Sequence, residues 1–207
     1  MTVAELQDET ENRVRLYRLN VKQYHRMIAD GILAEGEPYE LLDGQVIRKD
    51  RSTAGENPMT VGHAHALSVK KLAKLSRLLE RSGCHMQTQQ PITLAPSSEP
   101  EPDAAIIRGG EDDYRNRHPG AADVLCVVEV ADSSLGQDRS WKLRTYANHR
   151  IPQYIIVNLA DRLLEVYTHP KPGKRRYDHV EKLSPKQSIA FLTAGKPLSV
   201  AVRRILP

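Results

Sequence analysis

The sequence has few of the features that mark secreted, membrane-spanning or disulfide-stabilised proteins. Its only two cysteines, Cys84 and Cys126, are not in a Cys-x-x-Cys pair, so buried free thiols explain them better than a disulfide or a zinc site. Uncharged apolar runs are about as long as a strand and fall short of the ~20 residues that cross a bilayer. The N-terminus has no apolar secretory segment. We therefore expect a cytoplasmic protein without a membrane span.

Aromatic residues are scarce, at 5%, and neither sign of charge dominates. Lysine and arginine number 30 against 26 acidic residues, a net charge of +4 that permits a polyanionic partner without requiring one. A hydrophobic fraction of 40% excludes disorder throughout. There is no internal repeat. We expect a single domain over residues 16–207, preceded by a polar and flexible N-terminal arm at residues 1–15.

The spacing of apolar residues predicts an α/β fold. It indicates a short helix from Val21 to Asp30, a hairpin at 39–48 turning at Asp43-Gly44, and an amphipathic helix at 60–81 that Gly83 ends. Strands follow at 84–94, 103–108, 124–131 and 153–159. A helix at 137–149 between the last two strands favours a right-handed crossover. Further strands at 162–168, 175–181 and 198–205 predict a C-terminal antiparallel meander.

Glu129 is a carboxylate inside an otherwise apolar strand, Val124 to Ala131. Burying an ionised carboxylate there costs on the order of several kcal/mol unless a cation or strong hydrogen-bond donors compensate it. That cation could be an arginine or lysine in a structural ion pair, or a bound metal ion. The sequence around Glu129 leaves both explanations open.

Two further residues favour the metal. Asp103 opens a short apolar strand directly after Pro102, and adjacent strands could bring it to Glu129. Two carboxylates suit Mg²⁺, which takes oxygen ligands and keeps several waters. Lys142, on the helix after the Glu129 strand, could orient a water or neutralise charge at a phosphate. Taken alone, Asp103 could instead be a turn residue and Lys142 a solvated lysine.

These residues resemble a known nuclease family. Pro102-Asp103 followed by Glu129 in an apolar strand is similar to the Pro-Asp...(Asp/Glu)-x-Lys motif of the restriction-endonuclease-like superfamily. The more specific resemblance, over about Tyr39 to Tyr167, is to the Uma-type restriction endonucleases. It rests on these segments: Tyr39-Glu40-Leu41-Leu42-Asp43-Gly44, His65 before Leu72-x-x-Leu75, Glu101-Pro102-Asp103, Val128-Glu129-Val130, Lys142-x-x-x-Tyr146 and Ile151-Pro152-Gln153-Tyr154.

The resemblance implies a mixed β-sheet core flanked by helices and a Mg²⁺- or Mn²⁺-dependent endonuclease acting on DNA. Asp103, Glu129 and the carbonyl of Val130 would bind the metal, and Lys142 would position the water. The chain departs from the superfamily motif at Ala131, where lysine is usual, and in the Uma-type pattern Lys142 supplies that amine from the next helix. Glu40 matches a further acid that could bind a second metal or orient water. Without the resemblance, Glu40 would pass for a solvent-facing strand residue.

Two more residues are candidates for the catalytic pocket. His65 falls 40° from the centre of its helical stripe, at about 100° per residue, so it could line the pocket or be a satisfied core histidine. Gln89 could reach the pocket or simply end its strand.

Nucleic-acid contacts would need cations near the pocket. The candidates are Arg139, Arg144, His149, Arg150, Lys171, Lys174, Arg175 and Arg176. Those in the 171–176 cluster could equally form a solvated loop. Trp141 could stack on substrate, but a core position is favoured.

Alternative functions remain open at this level. The same scaffold could be a non-catalytic nucleic-acid or protein-interaction module, or an enzyme acting on a small phosphorylated or acidic metabolite. For the nuclease, we expect Asp103→Ala, Glu129→Ala or Lys142→Ala to abolish cleavage and leave the fold intact. A double-strand break made with one site per chain would favour a symmetric homodimer.

Overall fold

A six-stranded mixed sheet forms the centre of the computed structural model, which describes residues 16–34, 36–49 and 62–207. The sheet order is β3 (Cys84–Gln87), β4 (Ala104–Arg108), β5 (Val124–Ala131), β6 (Gln153–Asn158), β7 (Leu163–Lys171) and β8 (Arg176–Leu183). All neighbours are antiparallel except β5 and β6, which run parallel. The predicted α/β fold is confirmed, and the predicted arm at 1–15 lies outside the described residues.

The N-terminal hairpin forms as predicted, with β1 (Tyr39–Leu42) paired to β2 (Gln45–Arg48). Asp43 and Gly44 form its turn with φ of 50° and 77°, the left-handed geometry that tight hairpins need. A side chain at position 44 would also clash, because a Cβ there would lie 2.7 Å from that of Arg18. The hairpin is a sheet of its own, joined to the chain before β4 by an isolated bridge between Leu41 and Glu99.

Helices cover the central sheet. Helix α1 (Val21–Ala29) is close to its predicted bounds. The predicted helix at 60–81 is divided into α2 (His63–Ala73) and α3 (Ser76–Leu79), with residues 60 and 61 outside the described part. Bonds from Leu75 N to Leu72 O and from Leu78 N to Leu75 O tighten the chain at the division. Leu72, Leu75 and Leu79 still share one buried core.

The helical connection between the parallel strands β5 and β6 carries an irregularity. Residues 135–148 are helical, as α4 (Leu135–Gln137), a π-helical segment (Asp138–Lys142) and α5 (Leu143–Asn148). Ser134, which precedes α4, makes no side-chain cap, and its hydroxyl donates to Asp138 Oδ2 at 2.6 Å. The wider π turn adds a residue to the helix, a device that recurs at functional sites.

Two differences concern the strands. The predicted strand at 84–94 ends at Gln87, because Gln89 adopts a left-handed φ of 51°. The C-terminal antiparallel strands are present but divided, since β7 and β8 extend the central sheet while β9 (Ser188–Phe191) and β10 (Leu198–Ala201) form a separate hairpin. Strand β9 has no counterpart in the sequence prediction.

Two apolar cores lie on the two faces of the sheet. Alternate side chains of β5 face opposite cores. Cys126, Val128 and Val130 pack in one core, and Val127 and Ala131 pack in the other. Both cysteines are free and buried, as predicted. Within the described ranges, no helix combines the length and apolarity needed to cross a bilayer.

Candidate active site

Asp103 immediately precedes β4, at the edge where β4 begins to pair with β5. The pairing of the two strands stops at Ala104 and Val128, so the next outward-facing N–H of β5, that of Val130, has no β4 backbone partner. Asp103 Oδ2 accepts this N–H at 2.8 Å. The N–H and C=O of one residue in an extended strand point to the same edge. The carbonyl of Val130 therefore faces the side of the strand on which Asp103 lies.

Glu129 is buried, with 2% of its surface exposed, on the face of β5 that also carries Val127 and Ala131. Its Oε1 accepts a hydrogen bond from the Tyr146 hydroxyl at 2.7 Å and lies 2.9 Å from Lys142 Nζ. The carboxylate is thus compensated by a lysine, one of the two explanations that the sequence left open.

Lys142 is buried at the end of the π-helical segment and extends between two acids. Its Nζ lies 2.9 Å from Glu129 Oε1 and 3.8 Å from Glu40 Oε1. The segment carries Lys142 on the face that packs on the sheet, one residue after the exposed Trp141. The lysine predicted to reach Glu129 from the next helix therefore does so.

Glu40 is buried, not solvent-facing as its sequence alone would suggest. Its Oε2 accepts from Glu101 N at 3.4 Å and lies 3.9 Å from Lys49 Nζ. Lys49 also donates to Glu101 O at 2.9 Å. These contacts fix Glu40 between two ammonium groups and join the hairpin to the segment that leads into Asp103.

His65, near the start of α2, contacts Asp103. Its Nε2 lies 3.0 Å from Asp103 Oδ2, so this oxygen has two partners, the imidazole and the Val130 N–H. The Nδ1 atom is buried without a hydrogen-bond partner among the described residues. Of the two roles left open by the sequence, this contact favours a place beside Asp103.

Burial and charge set the protonation of the group. Burial raises the pKa of Glu129 to about 8, and Lys142 offsets only part of that effect. Burial also opposes ionisation of Asp103, but the His65 hydrogen bond and the charge of Lys142 keep its pKa below the ordinary value. Burial would lower the pKa of Lys142, yet Glu129 and Glu40 raise it well above normal. At neutral pH Lys142 is therefore charged and Asp103 ionised, whereas burial favours the protonated form of Glu129.

The donor set fits a hard divalent cation. Every described hydrogen bond of Asp103 falls on Oδ2 and every one of Glu129 on Oε1, which leaves one oxygen of each carboxylate without a described partner. Two carboxylates and a carbonyl suit Mg²⁺, which usually takes one or two protein carboxylates. In the part of the chain that the structure describes, no cluster of three or more His, Cys, Asp or Glu side chains is placed to hold a metal.

The other predicted residues divide into three groups. Gln89 does not reach the pocket with its side chain, which is exposed, but its N–H donates to the carbonyls of Pro102 and Asp103 at 3.2 and 3.3 Å. Arg139 is paired with the buried Glu165. The predicted cations Arg144, Arg150, Lys171, Lys174, Arg175 and Arg176 are all exposed, and His149 is half-buried.

Sequence reasoning missed three residues of the site and misplaced a fourth. Tyr146 and Asp138 are buried one helical turn either side of Lys142, a spacing that could have predicted them, and Lys49 follows the hairpin with no such signal. The favoured core position of Trp141 is wrong, since 45% of its surface is exposed. The residue lies on the outer face of the helical segment that buries Lys142.

Comparison with known proteins gives a family and a fold. Residues 21–201 match the model of the Uma2 family, described as "Putative restriction endonuclease". The fold is similar to the crystal structure of a "putative nuclease belonging to DUF820" from Anabaena variabilis, with a TM-score of 0.66 and 14% identity. The likeness covers 90% of this chain and 97% of that one. No curated protein matches the chain.

Proposed function

Because the chain belongs to the Uma2 family, whose description is "Putative restriction endonuclease", we propose that it is a metal-dependent endonuclease hydrolysing DNA phosphodiester bonds. The observation that supports this most is the convergence of Asp103 and Glu129, each with an oxygen free of described partners, beside the buried ammonium of Lys142. A pair of carboxylates next to a fixed cation suits phosphoryl transfer, which needs positioning and charge stabilisation more than a covalent nucleophile.

Asp103, Glu129 and the carbonyl of Val130 would hold Mg²⁺ or Mn²⁺. When bound, such an ion polarises the phosphoryl oxygen and lowers the pKa of a coordinated water. The chain's own groups prepare the ligands, since His65 and the Val130 N–H both bind Oδ2 of Asp103 and so orient the carboxylate. The Tyr146 hydroxyl does the same for Glu129.

Lys142 would orient the attacking water and neutralise the charge that develops on the phosphate. Glu40 holds the lysine from the side opposite Glu129, at 3.8 Å. Because two ammonium groups already flank Glu40, we assign it the positioning of Lys142 in preference to binding a second metal.

We also propose a cytoplasmic location and, for double-strand cleavage, a symmetric homodimer. The two free buried thiols, Cys84 and Cys126, suit a reducing compartment. The dimer would bring two single sites to the two strands of a duplex.

The test compares the full chain with Asp103→Asn and Glu129→Gln. We expect the parent to take up Mn²⁺ in calorimetric titration and to nick plasmid DNA, and each variant to lose both. Glu181→Gln is the matched control, because Glu181 is an exposed carboxylate on β8 and should leave both properties unchanged. Metal uptake without cutting of duplex, branched or single-stranded DNA would contradict the nuclease. Absence of uptake would instead support a non-catalytic module.

A further inference from the structure

Asp43, at the tip of the N-terminal hairpin, joins three separate elements. Its carboxylate pairs with Arg175 in the β7–β8 turn and accepts from the hydroxyl of Thr145 in α5 at 3.2 Å. Its carbonyl accepts from Arg18 at 3.2 Å. The turn at 43–44, the turn at 172–175 and helix α5 are therefore held in contact through one residue.

The residues around this contact carry a charge surplus, and we call them the cationic surface: Arg18, Arg144, Arg150, Lys174 and Arg175. These five cations stand against one carboxylate, Asp43, a surplus of four. The whole chain has a net charge of +4, so the rest of the protein is close to neutral. The nearby Lys171 and Arg176 share one carboxylate, Asp178, and so leave one further positive charge beside the surface.

Three of the five cations are uncompensated. Arg144, Arg150 and Lys174 are exposed and form no side-chain hydrogen bond or ion pair with another described residue. Like charges on adjoining elements, here helix α5 and the β7–β8 turn, raise the local potential and are unfavourable for the isolated chain. Arg139, once a candidate for the same role, is excluded because it is paired with Glu165.

Three residues of this region adopt the left-handed backbone conformation. Asp43, Arg150 and Arg175 have left-handed φ angles of 50°, 59° and 49°. Glycine would adopt this conformation without cost, whereas a side chain costs about 1 kcal/mol. Two of the three are arginines, so these positions carry a charge where glycine would be favoured for the backbone alone.

The cationic surface borders the candidate active site. Asp43 is three residues from Glu40 along an extended strand, a distance of about 10 Å at about 3.3 Å per residue. Thr145, which contacts Asp43, precedes Tyr146, which contacts Glu129. An extended polyanion passing over the site could thus contact both.

We propose that the cationic surface binds the phosphate backbone of double-stranded DNA and guides it to the site, with Asp43 fixing the β7–β8 turn in place. This inference rests on the proposed function for its ligand. Arg144, Arg150 and Lys174 would each contact a phosphate. A span of about 10 Å corresponds to about three base-pair steps at 3.4 Å, so surface and site would engage the same short stretch of duplex.

The test measures binding without cleavage. A fluorescein-labelled duplex is titrated with the full-length protein in EDTA, and anisotropy is recorded at several salt concentrations. The triple variant Arg144→Ala, Arg150→Ala, Lys174→Ala should weaken binding by about tenfold or more and reduce the slope of log affinity against log salt by about 2.7, about 0.9 per lost contact. The control triple, Arg77→Ala, Arg81→Ala, Lys186→Ala, removes the same charge from exposed positions near β3 and at the far end of β8.

Equal losses in the two triple variants, or none in the first, would overturn the proposal, as would a loss confined to single-stranded DNA or RNA. Arg150→Gly gives a second readout that a folding defect could not imitate. It should weaken binding while leaving the melting temperature unchanged or higher, because glycine relieves the left-handed backbone.

The outcomes also separate this inference from the proposed function. Binding that depends on the surface, in a protein that does not cut with Mn²⁺, would leave the inference standing and the nuclease wrong. If the first triple variant cut DNA with the parental efficiency and salt dependence, the nuclease would stand and this inference would be wrong.

Discussion

The buried pair of Lys142 and Glu129 links the chemistry of the site to the stability of the fold. Each charge has lost most of its hydration and is compensated by the other across 2.9 Å. Removing one member of such a pair leaves an unpaired buried charge, which costs far more than removing both. From the sequence, we expected Lys142→Ala to abolish cleavage and leave the fold intact. The structure changes the second part of this expectation, because the substitution should also destabilise the fold.

We predict that Lys142→Met lowers the free energy of unfolding, by less than the about 3–5 kcal/mol of a pair that must stay charged, because burial already raises the pKa of Glu129 and the acid can take up a proton. Lys142→Met combined with Glu129→Gln should recover most of the loss. Glutamine keeps the acceptor for Tyr146 without a buried charge. Urea denaturation of the two variants and the parent measures the difference. A single variant that unfolds at the parental urea midpoint would show that the lysine is not needed to compensate Glu129.

A second buried acid, Glu165 on β7, fastens the π-helical segment to the sheet. It accepts hydrogen bonds from Arg139 at 3.0 Å, from Asn158 at 3.0 Å and from Tyr167 at 2.7 Å. Burial alone would raise the pKa of Glu165, but these donors lower it to about 2 from the ordinary value of 4.5. The ionised form is therefore favoured in the folded state.

A carboxyl group whose pKa is lower in the folded than in the unfolded protein stabilises the fold at pH values above the unfolded pKa. This stabilisation is lost as the pH falls through the folded pKa. We predict that Glu165→Gln lowers the melting temperature at pH 7, by an amount equivalent to about 1–3 kcal/mol for bonds to a charged group. The difference from the parent should shrink as the pH falls from about 4.5 towards 2. Thermal melts across this range measure it, and a constant difference would contradict the assignment.

The elements show what local sequence can and cannot predict. The hairpin at Asp43-Gly44 and strand β5 follow from turn chemistry and a continuous apolar run, and both are found as predicted. The π-helical segment is different, because one added residue in a helix barely alters the apolar pattern. It is stabilised by contacts that are distant in sequence, such as that of Arg139 with Glu165.

The whole molecule is organised by one sheet with a core on each face. Val127 and Val128 are neighbours on β5 and are both fully buried, but they pack in different cores. A strand shared in this way couples the two cores, since neither can separate from the sheet without exposing β5.

We therefore predict a single cooperative unfolding transition for residues 16–207. Val127→Ala and Val128→Ala should each lower the free energy of unfolding by about 2–3 kcal/mol, from lost burial and the remaining cavity. Neither substitution should change the slope of the unfolding free energy against urea concentration. Two transitions, or one variant that separates the fluorescence and circular dichroism curves, would show that the cores unfold independently.

The site as a whole was predictable only in part. An acid in an apolar strand indicated Glu129, the adjacent strand and the following helix indicated Asp103 and Lys142, and the resemblance added Glu40. The burial of Glu40 could not be foreseen from its own strand, because it arises where a separate hairpin meets the segment before β4 through Leu41 and Glu99. A contact between segments that are distant in sequence does not alter the spacing of apolar residues in either segment, so the sequence pattern cannot predict it.

Asp103 serves as more than a candidate ligand, since its side chain completes the edge of β5 by accepting the Val130 N–H. Alanine at this position would leave an unpaired amide in the middle of the pocket, whereas asparagine keeps a carbonyl oxygen that can accept it. Anyone seeking to trap the protein with an intact oligonucleotide for crystallography should therefore choose the amide replacement, which removes the charge and preserves the backbone beneath it.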